Sequence, residues 1–317
     1  MKRNDFIRLC VLILLSVGGN AQNNTLKLGS GEVVRLDNFN SEYVSPRNID
    51  VWLPDHYTEE KKYAVLYMHD GQMLYDSTTT WNKQEWSMDE TAGRLLEDEE
   101  IMDVIVVGIW NTEYRHSEYF PQKPFERLPE RFRDSLLNQG GREQGNQLFR
   151  KEVCSDNYLK FIVQELKPQI DKRFSTKADR NNTFIMGSSM GGLISMYALC
   201  EYPEVFYGAA CLSTHWVGTF DTLNNPIPRA FADYLDNNLP ECDDHAIYFD
   251  YGTETLDALY EPYQMKVDRI LESRNCSKEN WQTKKFAGEN HSERAWKKRL
   301  EIPLKFLLGQ GKNKDGK

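Results

Sequence analysis

The chain has 317 residues, 40% hydrophobic and 27% charged, enough to bury a sizeable core as one large domain or two small ones. Its formal net charge of -9 argues against nucleic acid as a partner and against attraction to anionic membranes.

The chain opens with "MKRNDFIRLCVLILLSVGGNAQNN": a basic start, an apolar run from Leu9 to Val17, and small residues Gly19 and Ala21 just before Gln22. This is the layout of a secretory signal peptide. Residues 1–21 are therefore expected to be cleaved, leaving a single domain over 22–317 in a secreted or periplasmic location. A retained anchor is the alternative, but the run is short for a bilayer core of about 30 Å. No later segment reads as a membrane span. Five cysteines follow the leader: Cys154, Cys200, Cys211, Cys242 and Cys276. Their odd number and the lack of a C-x-x-C pair support neither a zinc site nor a dense disulfide framework. Cys200 and Cys211 suit core packing, and one bridge, Cys242 to Cys276, is compatible with an oxidising compartment.

Eight short branched runs bounded by turn residues come next in order: "EVVRL", "NIDVWLP", "YAVLYMHDG", "DVIVVGIW", "NTFIMGSS", "YGAACLST", "HAIYFDYG" and "WQTKKFAG". From the third onward they predict strands buried on both faces. Helical stretches lie between them. "SMDETAGRLLEDEE" carries a Ser87–Glu90 capping-box spacing, and "NYLKFIVQELKPQIDKRF" sets Leu159, Ile162, Val163, Leu166 and Ile170 on one face. "GLISMYALCEYPEVF", "YEPYQMKVDRILESR" and "SERAWKKRLEIPLKFLL" complete the alternation. The fold class is α/β: a mostly parallel sheet of about eight strands with helices on both faces. Residues 121–147 and the stretch "THWVGTFDTLNNPIP" read as loops at the carboxyl edge of the sheet, where ligand pockets form. The first could equally be a plain surface insertion.

"GSSMGG", residues 187–192, sits where a strand gives way to a helix. A nucleophilic serine on so tight a turn adopts a strained backbone, and its neighbours two positions away must lack bulk. Gly187 and Gly191 supply that room around Ser189, and Gly192 adds more; around Ser188 the corresponding places hold Met186 and Met190. The same turn aims the Met190 amide at the point where a tetrahedral oxyanion would form. The string alone is weak, and a Gly-rich turn is its bland reading; position between strand and helix gives it weight.

A serine hydroxyl needs a base, and the base an orienting carboxylate, in the chain order Ser, acid, His on such a sheet. His215, His245 and His291 follow Ser189. His245 would lie at the amino end of its strand, His215 could line the pocket, and His291 follows the last strand on a loop before the final helix. His291 is preferred. For the acid, "YFDYGTETLD" offers Asp250, Glu254 and Asp257. Asp250 reads as part of the strand, and Asp257 is preferred with Glu254 as the alternative. A second oxyanion amide belongs after the third strand, at Gln72 or Gly71, with His69 and Asp70 read as a hydrogen-bonded pair shaping that loop.

"LYMHDGQMLYD", "GIWNTEYRHSEYFP", "GSSMGG", "YFDYGTETLDALY" and "GENHSERAW" with "RLEIPLKFLL" together resemble the Putative esterase family of α/β hydrolases, over roughly residues 30 to 310. That group includes enterochelin esterases, S-formylglutathione hydrolase, feruloyl and acetylxylan esterases and mycolyltransferases. The resemblance implies Ser189 as nucleophile, His291 as base and the Met190 and Gln72 amides as oxyanion donors. It departs at the acid: the feruloyl esterases usually carry one three residues after the turn glycine, where this chain has Thr255. Enterochelin esterases can work with little or no acid partner. Arg115, Glu118 and Tyr119 match a stretch read as structural, while Trp110, Asn111 and Trp216 are candidate substrate contacts, with aromatic core packing the alternative for the indoles.

The function expected is an exported serine carboxylesterase acting on a small-molecule or oligosaccharide ester, an acylated saccharide or a siderophore trilactone, without metal or cofactor. An acyltransferase on the same scaffold and a non-catalytic carbohydrate-binding relative are the alternatives.

Overall fold

Each of the eight branched runs forms a strand: β1 (Glu32–Phe39), β2 (Arg47–Leu53), β3 (Ala64–His69), β4 (Val104–Ile109), β5 (Thr183–Ser188), β6 (Gly208–Leu212), β7 (Ala246–Gly252) and β8 (Trp281–Phe286). The structure, a computed structural model, describes residues 26–138, 147–220 and 222–310. The strands form one sheet in the order β1-β2-β4-β3-β5-β6-β7-β8. β2 runs against β1 and β4, and every other neighbouring pair is parallel.

Side chains alternate across this sheet and feed two apolar layers. Along β3, Val65 and Tyr67 enter one layer while Ala64, Leu66 and Met68 enter the other. Helices α1 (Met88–Glu97), α2 (Arg115–Tyr119), α3 (Gln122–Glu126), α4 (Glu130–Leu137), α5 (Ser155–Lys160), α6 (Lys167–Arg173), α7 (Met190–Glu201), α8 (Ile227–Asn238), α9 (Glu261–Ser273), α10 (Glu293–Arg299) and α11 (Glu301–Leu308) follow in chain order. Leu95 of α1, Trp296 of α10 and Leu304 of α11 cover one face. Leu159 of α5, Leu193 of α7, Phe231 of α8 and Leu271 of α9 cover the other. This is an α/β-hydrolase sandwich.

Several local expectations are corrected. Ser87 lies at the start of α1 but caps nothing with its side chain; its hydroxyl donates to Glu85 Oε1 at 3.2 Å, so no capping box forms. α5 and α6 are joined by a π-helical turn, Phe161–Leu166. Pro168 accounts for it, because proline cannot donate to the Gln164 carbonyl and its ring crowds that oxygen. On the face read from the sequence, Leu159, Ile162, Leu166 and Ile170 are buried and Val163 half-buried. Within the expected loop 121–147, the described residues 121–138 hold α3 and α4, with Phe125, Leu128 and Leu136 in the core. Residues 139–146, like the expected leader 1–21, lie outside the described residues. α8 is a helix the apolar pattern does not announce, although Pro226 and Pro228 at its start are a usable signal. A disulfide joins Cys242 to Cys276. Among the described residues no helix is long and apolar enough to cross a membrane.

Two features set the sheet's working edge. The first is a buried ion pair, Arg47 at the start of β2 forked onto both Glu118 oxygens of α2 at 2.9 Å, with neither side chain more than 1% exposed. The second is the turn from β5 into α7. Ser189 there has φ 58° and ψ -120°, a conformation that costs an L-residue on the order of 1–3 kcal/mol. A Cβ on Gly187 would stand 2.8 Å from the Gly191 backbone, closer than real Cβ contacts come. On Gly191 its nearest neighbour would be the His69 Cβ at 3.4 Å, ordinary contact, whereas on Gly192 it would stand 3.0 Å from Thr214 Oγ1. The steric demand therefore falls on Gly187 and then Gly192, while Gly191 is the surface against which Gly187 packs.

Gly187→Ala is expected to cost about 1–3 kcal/mol or more, and Gly191→Ala to be neutral within about 1 kcal/mol, by thermal melting. Equal losses would show that the close approach is misassigned. Arg47→Met strands a buried carboxylate beside only Lys151 at 3.3 Å and should cost about 3–5 kcal/mol in urea unfolding. Arg47→Met with Glu118→Met should recover most of that loss; a single variant as stable as the parent would rule out this role.

Candidate active site

Ser189 is pinned by its own backbone. Its amide donates to Leu212 O at 2.9 Å, and its carbonyl accepts from Gly192 at 3.0 Å and from Leu193 and His215 at 3.2 Å. The end of β6 and the first turn of α7 thus hold the strained residue from both sides. It lines a cleft of about 610 Å³ together with Asp70, Met190, His215, His291 and Trp296. α7 is buried along nearly its whole circumference, so its amino end cannot swing away from the sheet.

His291 and Asp257 meet across the same cleft edge. His291 Nδ1 stands 2.5 Å from Asp257 Oδ1, with the carboxylate fully buried and the imidazole 14% exposed. The imidazole packs edge-on against Trp296 at 5.1 Å and against Tyr260 at 5.8 Å. Its loop can come this close because Gly252 has no side chain: a Cβ there would stand 2.1 Å from Glu289 O. The amides of Thr253 and Glu254 also donate to Glu289 O, at 2.9 and 3.0 Å. Asp257 Oδ2 accepts from the Gly252 amide at 2.6 Å and the Ser213 hydroxyl at 2.5 Å. Burial alone would raise its pKa, but the donors His291, Ser213 and Gly252 outweigh it and hold the carboxyl below its ordinary value. Ser189 Oγ and His291 Nε2 form no hydrogen bond among the described residues; such contacts often tighten only when substrate is bound.

The alternatives sit elsewhere. Glu254 is exposed. Asp250 is fully buried in β7 and takes Arg299 at 2.9 and 3.2 Å, with burial pushing its carboxyl up against that pairing. Thr255, standing where the feruloyl esterases usually carry their acid, accepts the His291 amide at 3.0 Å. His245 lies at the amino end of β7 with both ring nitrogens 3.0 Å from backbone carbonyls. His215 lines the cleft, and its Nδ1 is 2.7 Å from Tyr260 Oη.

On the other side of Ser189, the turn after β3 is braced by charge. Asp70 has φ 59° and accepts from Arg115 Nε and Nη2, each at 2.7 Å, and from Asn111 Nδ2 at 2.6 Å. Burial would raise its pKa; Arg115 and Asn111 more than reverse this. The expected His69–Asp70 pair is absent, because His69 Nδ1 instead lies 2.9 Å from Tyr158 Oη and burial pushes its pKa down to about 3. Gln72 is half-buried in the 3₁₀ turn Gly71–Met73, and its side-chain oxygen accepts the Asn111 amide at 3.1 Å. Met190 opens α7, where the first amides have no partner within a helix. Asn111 lines the cleft with its amide already committed to Asp70. Trp216 does not line it: its indole is 3% exposed, donates to Gln264 Oε1 at 2.9 Å and stacks near Phe231 and Phe249. Trp110 donates to Asp50 Oδ2 at 2.8 Å beneath Arg35.

Sequence reasoning missed the aromatic rim. Trp81 is 83% exposed at the cleft mouth, and Phe220 is 41% exposed. Trp86 stacks on Trp296 at 5.4 Å behind them. The segment carrying Trp81 and Trp86, residues 77–86, has no periodic pattern; Asp76 holds it by accepting from Thr78 N at 2.9 Å and Thr78 Oγ1 at 2.7 Å. Among the described residues no three His, Cys, Asp or Glu side chains gather so as to hold a metal ion.

Known proteins share the fold and part of the sequence. Ferri-bacillibactin esterase BesA of Bacillus subtilis is 25% identical over 162 residues, 49% of this chain and 49% of BesA. The uncharacterized protein YbbA of the same organism is 25% identical over 172 residues, 54% of this chain and 58% of YbbA. The matches therefore span about half the length of these curated relatives. A solved ferulic acid esterase superposes with a TM-score of 0.61 at 18% identity, covering 88% of this chain and 98% of that one, and so shares the fold. The model of the family described as "Putative esterase" matches residues 41–306, and the chain belongs to that family.

Proposed function

We propose that the protein is a serine carboxylesterase working through an acyl-enzyme. The observation that carries this reading is the strained Ser189 sharing one cleft with a histidine already paired to a buried carboxylate. Ser189 Oγ attacks the ester carbonyl while His291 Nε2 takes its proton. Negative charge develops on the carbonyl oxygen and is met by the Met190 and Gln72 amides. Collapse expels the alcohol, which takes the proton from His291. Water, deprotonated by the same imidazole, then attacks the acyl carbonyl, and collapse frees Ser189, whose Oγ takes that proton back from His291. Asp257 keeps Nδ1 protonated and balances the imidazolium.

The substrate proposed is a bulky ester, an acylated saccharide or a siderophore trilactone. Support comes from the size of the cleft and its Trp81 and Phe220 rim, with relatives named for ferri-bacillibactin and ferulic acid. Export is proposed with it, on the leader-like order of residues 1–21 and the Cys242–Cys276 bridge.

On p-nitrophenyl acetate, Ser189→Ala and His291→Ala should each lower kcat by about 10⁴- to 10⁶-fold with circular dichroism unchanged. Asp257→Asn should cost less, about 10²- to 10⁴-fold, and Glu254→Gln under about twofold. A fully active Ser189→Ala would end the serine-esterase reading, and a larger loss at Glu254 than at Asp257 would reassign the acid. Rates on feruloylated and acetylated oligosaccharides beside a siderophore trilactone would then choose between the substrate classes.

A further inference from the structure

Behind Asp257 lies a residue that the reaction scheme leaves unused. Ser213 follows β6 directly, is fully buried, and holds φ 42°, a left-handed conformation that a serine rarely adopts. Its amide donates to Asp250 O at 2.8 Å and approaches Asp250 Oδ1 at 3.2 Å, which fixes the backbone. Its hydroxyl has three neighbours: Trp296 Nε1 at 2.9 Å, Arg299 Nη2 at 2.9 Å and Asp257 Oδ2 at 2.5 Å.

Donor and acceptor counting orders this cluster. An indole N–H and a guanidinium N–H can only donate, so they occupy both lone pairs of the Ser213 oxygen. The hydroxyl proton then has one destination, Asp257 Oδ2. That oxygen also accepts the Gly252 amide at 2.6 Å, which leaves Oδ1 as the oxygen for His291 Nδ1 at 2.5 Å. Because Oδ1 belongs to an ionised carboxylate, Nδ1 must carry the proton, and in the neutral imidazole Nε2 is then bare.

We propose that Ser213 is a positioning residue: a one-way relay from Arg299 and Trp296 that turns Asp257 Oδ1 toward His291 and selects the imidazole tautomer able to accept the Ser189 proton. This rests on the serine-esterase reading above. The charged and titratable groups around it are Asp250 and Arg299 behind Ser213, Tyr248 on Asp250, and Tyr260, His215 and Glu293 around the cleft end of His291. Removing the hydroxyl takes one donor from Asp257, concentrates its charge on the His291 side and stabilises the imidazolium, so activity should be lost at a higher pH than in the parent.

Ser213→Gly tests this, since glycine takes φ 42° without strain. On p-nitrophenyl acetate we expect kcat to fall on the order of tenfold to a hundredfold with KM little changed, and the acid limb of kcat/KM to move up by about half a pH unit. Ser213→Thr keeps the hydroxyl and should return the limb to its parental position even if the fold is weakened. A folded Ser213→Gly with parental kcat, or with lowered kcat and an unmoved limb, would overturn the relay and leave Ser213 as packing. Ser189→Ala is run beside it: if that variant stays fully active, the esterase reading has failed, whereas an inactive Ser189→Ala with an unmoved limb in Ser213→Gly sinks the relay alone.

Discussion

The site depends on one backbone conformation being enforced against its own preference. Ser189 at φ 58° and ψ -120° would relax in an isolated turn. It cannot do so here, because β5 lies inside the sheet and α7 is buried on nearly every side. The amides of Gly192, Leu193 and His215 converge on its carbonyl, so a peptide flip would leave three donors without an acceptor. The cost of the turn is therefore distributed over core packing, and little of it rests on the residues that would touch substrate.

Charge placement follows from the same architecture. The carboxyl ends of β3 and β7 put Asp250 and Asp257 out of water and Asp70 largely so, at 13% exposed, where an unpaired carboxylate is costly. Each has its own solution: Arg115 for Asp70, Arg299 for Asp250, and for Asp257 a histidine with two neutral donors. Arg299 Nη2 also lies 3.9 Å from Asp257, close enough to bias it but too far to replace His291 as its partner. Such a division gives Asp257, alone of the three, a partner whose side-chain type can exchange a proton near neutral pH.

Much of this was legible in the sequence, for physical reasons. Strands buried on both faces must be continuous apolar runs, so β3 to β7 stood out, whereas β8, expected to be buried with them, is a partly exposed edge strand like β1; a sharp strand-to-helix turn leaves its glycines in the string around Ser189. The contact between Asp257 and His291 could be expected because each follows a particular strand. What stayed hidden depends on partners distant in sequence. The choice between Asp257 and Glu254 turns on Gly252 letting the His291 loop close in, and Trp216 is claimed by Gln264 and two phenylalanines. The Ser87–Glu90 spacing is right for a cap, yet Glu85 intercepts the hydroxyl. His69 and Asp70, adjacent in the chain, face different partners because Asp70 has positive φ.

The exposed indole at the cleft mouth gives the molecule a built-in optical reporter. Of the seven tryptophans, Trp52, Trp86, Trp216, Trp281 and Trp296 are no more than 5% exposed, Trp110 is half-buried, and Trp81 is 83% exposed. Water relaxes the excited state of an exposed indole, so the long-wavelength edge of the intrinsic emission belongs chiefly to Trp81. A molecule settling against that ring would strip its hydration and shift this edge to the blue, so occupancy of the cleft can be followed without a label and without turnover.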